Sequence, residues 1–222
     1  MPCLELHCHT IYSKDSLFKP EQIIQTCDRK GIDRIAITDH NSIVGAVKVK
    51  EISPERVIVG EEIFTTKGEL LGYFVQERIP PGLNPDETIE RLREQNAFIS
   101  VSHPFDAYRK GAWNQNDLLD IVDKIDAIET FNARCMLSRF NLEAEEFAEK
   151  HGLLKTVGSD AHHPAELGKA RLITNEFIDS VGFSQALVDA RQNCRLSSPL
   201  VHFYSRYAVW YKKRKNLIQR YS

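Results

Sequence analysis

Along the chain, short runs of apolar and β-branched residues alternate with stretches whose apolar positions recur every three or four residues. Residues 3–9 form the first run. Residues 20–31 form the first amphipathic stretch, in which Pro20 suits a first helical turn, Ile23, Ile24 and Cys27 share one face, and Gly31 ends the pattern. The spacing predicts a strand followed by a helix. It predicts further strands at 34–38 and 56–59 around a helix at 43–51, after which Thr65-Thr66-Lys67-Gly68 reads as a hairpin turn into a strand at 70–75. Beyond a proline-rich connector at 79–84, Asn84 caps a helix with Pro85 at its first position and Asp86 and Glu87 in its first turn, running to about residue 96. Strands at 97–101, 127–130 and 153–157 are separated by helical segments near 116–123 and 137–151.

Repeated strand–helix units imply parallel strands covered by helices, which is either a barrel or an open doubly wound sheet. There is no internal repeat and no low-complexity segment. The 222 residues, 42% of them hydrophobic, suffice for one sizeable core, assigned to residues 1–200. Residues 201–222 read as a basic, aromatic C-terminal helix or tail docked on that body.

The polar residues fall in a second pattern. His7 and His9 lie two apart at the end of the first strand, so strand periodicity points both to one side, with Glu5 beneath them and Leu6 and Cys8 opposite. His40, Glu61 and Glu62, His103, Asn132, and Asp160 with His162 each read as lying just past the carboxyl end of a strand. That is the rim to which parallel strands deliver their loops, and where α/β folds build sites. Imidazole and carboxylate without thiolate suit zinc, manganese or iron, and the donors outnumber the three or four protein groups of one catalytic zinc. A multinuclear site follows. His151, His163 and His202 read instead as ordinary surface or capping residues.

Leu6-His7-Cys8-His9-Thr10, Ser13-Lys14-Asp15-Ser16, Ala36-Ile37-Thr38-Asp39-His40-Asn41, Gly60-Glu61-Glu62-Ile63, Ser102-His103-Pro104-Phe105, Glu129-Thr130-Phe131-Asn132 and Gly158-Ser159-Asp160-Ala161-His162 occur in that order. They resemble the successive motifs of the PHP (polymerase and histidinol phosphatase) family of metal-dependent phosphoesterases, over residues 4 to about 172, and above all its short, stand-alone members. The resemblance implies a distorted (β/α)7 TIM-like barrel with two or three divalent ions (Zn, Mn or Fe) at the C-terminal rim. It implies that His7 and His9 hold one metal, that Glu62 bridges two and that Asp160 is a further ligand. His103 would hold the second metal with Asn132, and Asp15, His40 and His162 a third. Glu5 stands where the family commonly has aspartate, and the resemblance gives it the part of orienting a histidine.

A metal-dependent hydrolase of phosphate esters is the expected activity, with His162, His40 and Asp160 as candidates for steering protons. Arg109 and Arg134, in rim loops, are the candidate phosphate binders, since a guanidinium holds phosphate through two parallel hydrogen bonds; Lys110 is a weaker one. The expected substrate is a small phosphorylated molecule or a nucleotide. The tail brings in a rival, an exonuclease that trims short oligonucleotides along a basic track of Arg206, Lys212, Lys213, Arg214, Lys215 and Arg220. A further rival is a metal-binding regulatory module without turnover. The net charge of −2 gives no overall pull toward nucleic acid or acidic lipid. Five scattered cysteines without a CxxC pair, and no apolar run long enough to span a membrane, make a cytoplasmic protein the expectation.

Overall fold

The structure, a computed structural model, describes residues 1–215; the end of the basic tail, with Arg220, lies outside them. Among the described residues nine strands form one sheet: β1 (Cys3–Glu5), β2 (Arg34–Ile37), β3 (Val57–Phe64), β4 (Glu69–Tyr73), β5 (Phe98–Val101), β6 (Ala127–Asn132), β7 (Leu154–Gly158), β8 (Ala170–Ile173) and β9 (Arg191–Cys194). Their order is β7-β6-β5-β4-β3-β2-β1-β8-β9, so the first seven strands are neighbours in chain order. Beyond its last regular residue β1 meets the end of β7: His9 N donates to Ala161 O at 2.9 Å, Ala161 N to His7 O at 3.1 Å, and Cys8 and Ala161 form a parallel bridge. The sheet is thereby rolled into a nearly closed, distorted barrel.

The expected parallel pairing is present in β1-β2-β3 and in β5-β6-β7. It fails for β4, which pairs antiparallel with both β3 and β5 because the Thr65–Gly68 turn is a hairpin, Thr65 N donating to Gly68 O at 2.9 Å. β8 and β9 are also antiparallel additions. Hairpin pairing carries β3 on to Phe64, so Glu61 and Glu62 lie inside that strand rather than past its end, and Asn132 is the last residue of β6 rather than a loop residue. β1, by contrast, stops at Glu5, which leaves His7 and His9 on irregular chain.

Among the described residues seven α-helices cover the sheet: α1 (Pro20–Lys30), α2 (Val44–Ile52), α3 (Pro85–Glu94), α4 (Gln115–Leu119), α5 (Ser138–His151), α6 (Ser180–Val188) and α7 (Val201–Arg214). Pro20 opens α1 and Gly31, at φ +62°, closes it in the left-handed region that glycine enters without strain. Asn84 caps α3 by accepting from Glu87 N at 2.9 Å. One hydrophobic cluster joins Leu4, Leu6, Ala36, Ile58, Tyr73, Phe98 and Val157 to Phe183 of α6. A second packs Ile99, Val101 and Ile128 under α3 and α5, and a third packs Ile35, Ile37 and Val57 under α1 and α2. The described residues contain no helix long and apolar enough to cross a membrane.

Candidate metal centre

At the rim the imidazoles of His7 and His9 meet with their Nε2 atoms 3.1 Å apart. Their other nitrogens fix what those atoms carry. Nδ1 of His7 lies 2.8 Å from Glu129 Oε1, a carboxylate that only accepts, so Nδ1 bears the proton. Nδ1 of His9 lies 3.2 Å from Ser13 Oγ, whose own proton goes to Asp39 Oδ1 at 2.7 Å, so this Nδ1 also donates. In the neutral rings both Nε2 atoms therefore present lone pairs, and around them stand Glu62 (3.4 Å from each) and Asp160 Oδ1 (3.2 Å from His9, 3.8 Å from His7). With both rings neutral, these buried acceptors face one another unfavourably unless a cation lies between them or one ring takes up a proton. Ligands about 2.1 Å from a tetrahedral metal lie roughly 3.4 Å from one another, which matches this set. The residues fit a divalent ion.

Glu62 is the hub. Its Oε2 is 2.9 Å from His40 Nδ1 and its Oε1 is 3.0 Å from His103 Nε2. Asp15 Oδ2 lies 3.5 Å from His40 and 3.3 Å from His162, and the nitrogens of His9, His40 and His162 form a second group compact enough for one ion. Buried Asp15 Oδ1, Glu62 Oε2 and His162 Nε2 have no hydrogen-bond partner. The structure thus brings together all nine residues singled out as ligands, Asp15, Asn132 and His103 included. His103 (φ +27°) and Asp160 (φ +51°) adopt left-handed backbone, at a cost of about 1–3 kcal/mol each for such residues, and both point into this cluster.

Two site residues escaped the sequence. Glu129 and Asn132 are three apart and would face opposite sides of a regular strand, but a register shift between Glu129 and Phe131 brings both to the centre. Asn132 Nδ2 then donates to Glu129 Oε2 at 2.9 Å and to Asp160 Oδ2 at 3.3 Å. Glu69 is the other, its carboxylate 3.6 Å from His103 and 3.7 Å from His40. Glu5 touches no imidazole. It accepts from the backbone N–H groups of His7, Ser159 and Gly168 and from the Ser159 hydroxyl, so it ties the first strand to the loop after β7, and Glu129 orients His7 in its place. Burial pushes the Glu5 carboxyl up to about 7. Glu61 faces the other way, accepting from Ile79 N at 2.9 Å.

Burial opposes charge on the His7 ring, but Glu129, Glu62 and Asp160 outweigh it and hold its pKa well above the usual imidazole value. His9 is pushed the opposite way, to about 3, by burial and by His162 and His40. In the metal-free site the carboxylates therefore favour a proton on His7 over one on His9. A cation entering must displace the former, so its apparent affinity is expected to rise with pH. Calorimetric titration in two buffers of different ionisation heat measures that release; heats independent of buffer contradict it.

A cleft of about 470 Å³ opens over Asp15, His40 and His162, walled by Arg109, Arg134 and Arg206. Neither of the two expected phosphate binders has an idle guanidinium. Arg109 Nη1 lies 2.5 Å from Asp160 Oδ2, and Arg134 contacts His162 Nδ1 at 2.6 Å and Ser205 Oγ of α7 at 2.8 Å. Burial disfavours charge on Arg109, yet Asp160 keeps it firmly protonated.

Helix α7 docks through Ala208 and Lys212, both buried, while Phe203, Tyr207 and Trp210 are half exposed or more. Tyr204 and Tyr211 are half-buried, and Lys213, Arg214 and Lys215 stay exposed, so Lys212 is the cation of this helix that turns inward. The reason is helical spacing, which puts 208 and 212 on one face and 203, 207 and 210 on the other. Lys212 Nζ donates to the carbonyls of Ile11 (2.5 Å) and Ser13, and burial lowers its pKa to about 8.

Residues 5–131 match the family model described as PHP domain, and residues 138–191 the model described as PHP-associated. The chain belongs to the PHP family. This PHP protein is 39% identical over 142 residues to an uncharacterized protein of Methanocaldococcus jannaschii, covering 58% of the chain and 81% of that protein. It is 24% identical over 217 residues to a protein of Caldicellulosiruptor bescii described as a probable phosphatase, covering 83% and 90% respectively. Its fold is similar to that of a two-domain protein from Bacteroides vulgatus containing a predicted PHP-like metal-dependent phosphoesterase, with a TM-score of 0.69 at 17% identity, over 87% of this chain and 65% of that one.

Proposed function

We propose that this PHP protein is a phosphoesterase that hydrolyses phosphate esters of small molecules or nucleotides at a centre of two or three divalent ions, zinc, manganese or iron. The observation that carries the reading is the set of facing, buried ligand atoms of His7, His9, Glu62 and Asp160, continuous through Glu62 with His40, Asp15, His162 and His103. Bound there, divalent ions lower the pKa of water from 15.7 toward about 7 and neutralise charge on phosphate oxygens. The protein's own groups do the rest. Glu129 and Ser13 lock the tautomers of His7 and His9. His40 and His162, beside the cleft, are placed to relay protons to and from a bound ester, while Asp160 holds Arg109 at the cleft wall. Arg109 and Arg134 take up a phosphate's oxygens once a substrate competes for their present partners. The cytoplasm is the proposed location.

The test is manganese-dependent hydrolysis of p-nitrophenyl phosphate, mononucleotides and a short labelled single-stranded RNA, with a His7→Ala, His9→Ala double variant as control. Turnover by the native protein and none by the variant is expected. No turnover above the variant on any substrate favours a regulatory module instead.

A nuclease reading has one observation of its own, the exposed row of Phe203, Tyr207 and Trp210 beside Arg206 at the cleft wall. Aromatic faces contribute about 1–3 kcal/mol per stacked base. Deleting the tail would also remove Lys212 and Ser205, so alanine at 203, 207 and 210 is the clean perturbation. Loss confined to RNA trimming supports the track, and unchanged trimming rejects it.

A further inference from the structure

The second ion of the proposed centre needs donors beyond Glu62 and His103, and Asn132, the residue the motif offers, is already committed. Its Nδ2 donates to Glu129 and Asp160, and its Oδ1 accepts from Arg134 N at 2.9 Å and Arg109 Nη2 at 3.2 Å. Both ends of the amide are engaged, and no lone pair is left aimed at His103.

Glu69 is in the opposite condition. The residue is only 8% exposed, and its carboxylate stands just beyond hydrogen-bond distance of two imidazoles, 3.6 Å from His103 and 3.7 Å from His40. Strand register explains where it points. Glu62 pairs with Leu71 across the β3–β4 hairpin, and Glu69 is two residues from Leu71, so Glu62 and Glu69 share a face as diagonal neighbours. Glu69 Oε2 lies 3.6 Å from His103 Nε2, which is itself 3.0 Å from Glu62 Oε1. Those separations suit edges of a coordination shell with ligand distances of about 2.1 Å. Space for the carboxylate is provided by Gly111, where a Cβ would stand 1.8 Å from Glu69 Oε2.

We propose that Glu69 is a metal ligand of this protein, holding with Glu62 and His103 the ion that Asn132 cannot hold. The inference rests on the reading of the cluster as a cation centre. Asp15, Glu62, Glu69 and Asp160 then give the centre four carboxylates, enough negative charge to balance two divalent ions before substrate arrives.

The experiment is reloading of chelator-treated protein with manganese alone, read as stoichiometry by elemental analysis and as stepwise affinity by calorimetry. Glu69→Gln is expected to bind one ion fewer, or to weaken that step by at least the roughly 100-fold typical of the upper end for lost supporting groups. Asn132→Ala is expected to keep the ion. Gly111→Ala, which crowds the carboxylate without removing it, is expected to weaken the same step. Native stoichiometry and affinity in Glu69→Gln, or loss of the ion in Asn132→Ala but not in Glu69→Gln, overturns the proposal. If Glu69→Gln does not fold, Glu69→Asp, whose carboxylate falls short of His103 by a methylene, is read against the same two outcomes. The parent reading fails separately: if the His7→Ala, His9→Ala variant retains every ion, there is no centre of the kind described, whereas loss there with an unaffected Glu69→Gln removes Glu69 alone.

Discussion

Exchanging Glu62 for glutamine is expected to reduce manganese-dependent phosphate ester hydrolysis by about 10³-fold or more, because several kcal/mol of charge stabilisation come from metal ions and each 1.36 kcal/mol is tenfold in rate. The residue stands between His7, His9, His40 and His103, and its carboxylate is held well below the ordinary range, since His7 and His40 outweigh the effect of burial. An amide keeps the shape but removes the charge common to every part of the cluster. Metal content should fall by more than one ion per chain, in contrast to the effect at Glu69. A Glu62→Gln protein with native metal content and turnover would show that the ions are not shared through this side chain.

The second large effect is expected at a residue with no side chain. Gly158 ends β7, and a Cβ there would stand 2.3 Å from the Cβ of His7 and 2.3 Å from Glu129 Oε1. The first of these atoms is next to the backbone and cannot swing away. Gly158→Ala should therefore displace both His7 and the carboxylate that orients it. Overpacking of this kind costs about 1–3 kcal/mol, or roughly 2–12 °C in melting temperature for a chain of this size. Loss of cation affinity should exceed what the stability change alone explains, which calorimetric metal titration well below the melting temperature will reveal. Native affinity in a folded Gly158→Ala protein would mean that the His7–Glu129 pair does not need this position.

Much of the rim was legible in the sequence because its donors follow strands of a parallel α/β pattern, which the alternation of apolar runs makes visible. What escaped it departs from that pattern in identifiable ways. Glu69 sits at the amino end of its strand, which is at the rim only because β4 runs antiparallel to its neighbours. The hairpin turn at 65–68 was readable, and following its reversal through to β4 was the available signal. Glu129 reaches His7 because β6 breaks its alternation, and nothing in Ala127-Ile128-Glu129-Thr130-Phe131-Asn132 marks where the bulge falls. The engagement of Arg109 with Asp160 depends on the loop at 103–113, whose path is set by long-range contacts such as Trp113 Nε1 to Glu69 O at 3.0 Å. The docking face of α7 turns on Lys212, a residue type that composition assigns to solvent and that two backbone carbonyls draw inside.

That last contact ties two distant parts of the chain together. Lys212 and Ile11 are 201 positions apart in the chain, and the turn they fasten carries Ser13, which steadies His9, and leads to Asp15. Closing so long a loop costs chain entropy that the contacts it makes must repay. The solvent-side corner of Asp15, His40 and His162 is thus bolted from outside by the final helix. On the proposed reading of the cluster, loosening that helix is expected to weaken cation binding at Asp15, His40 and His162 more than at His7 and His9.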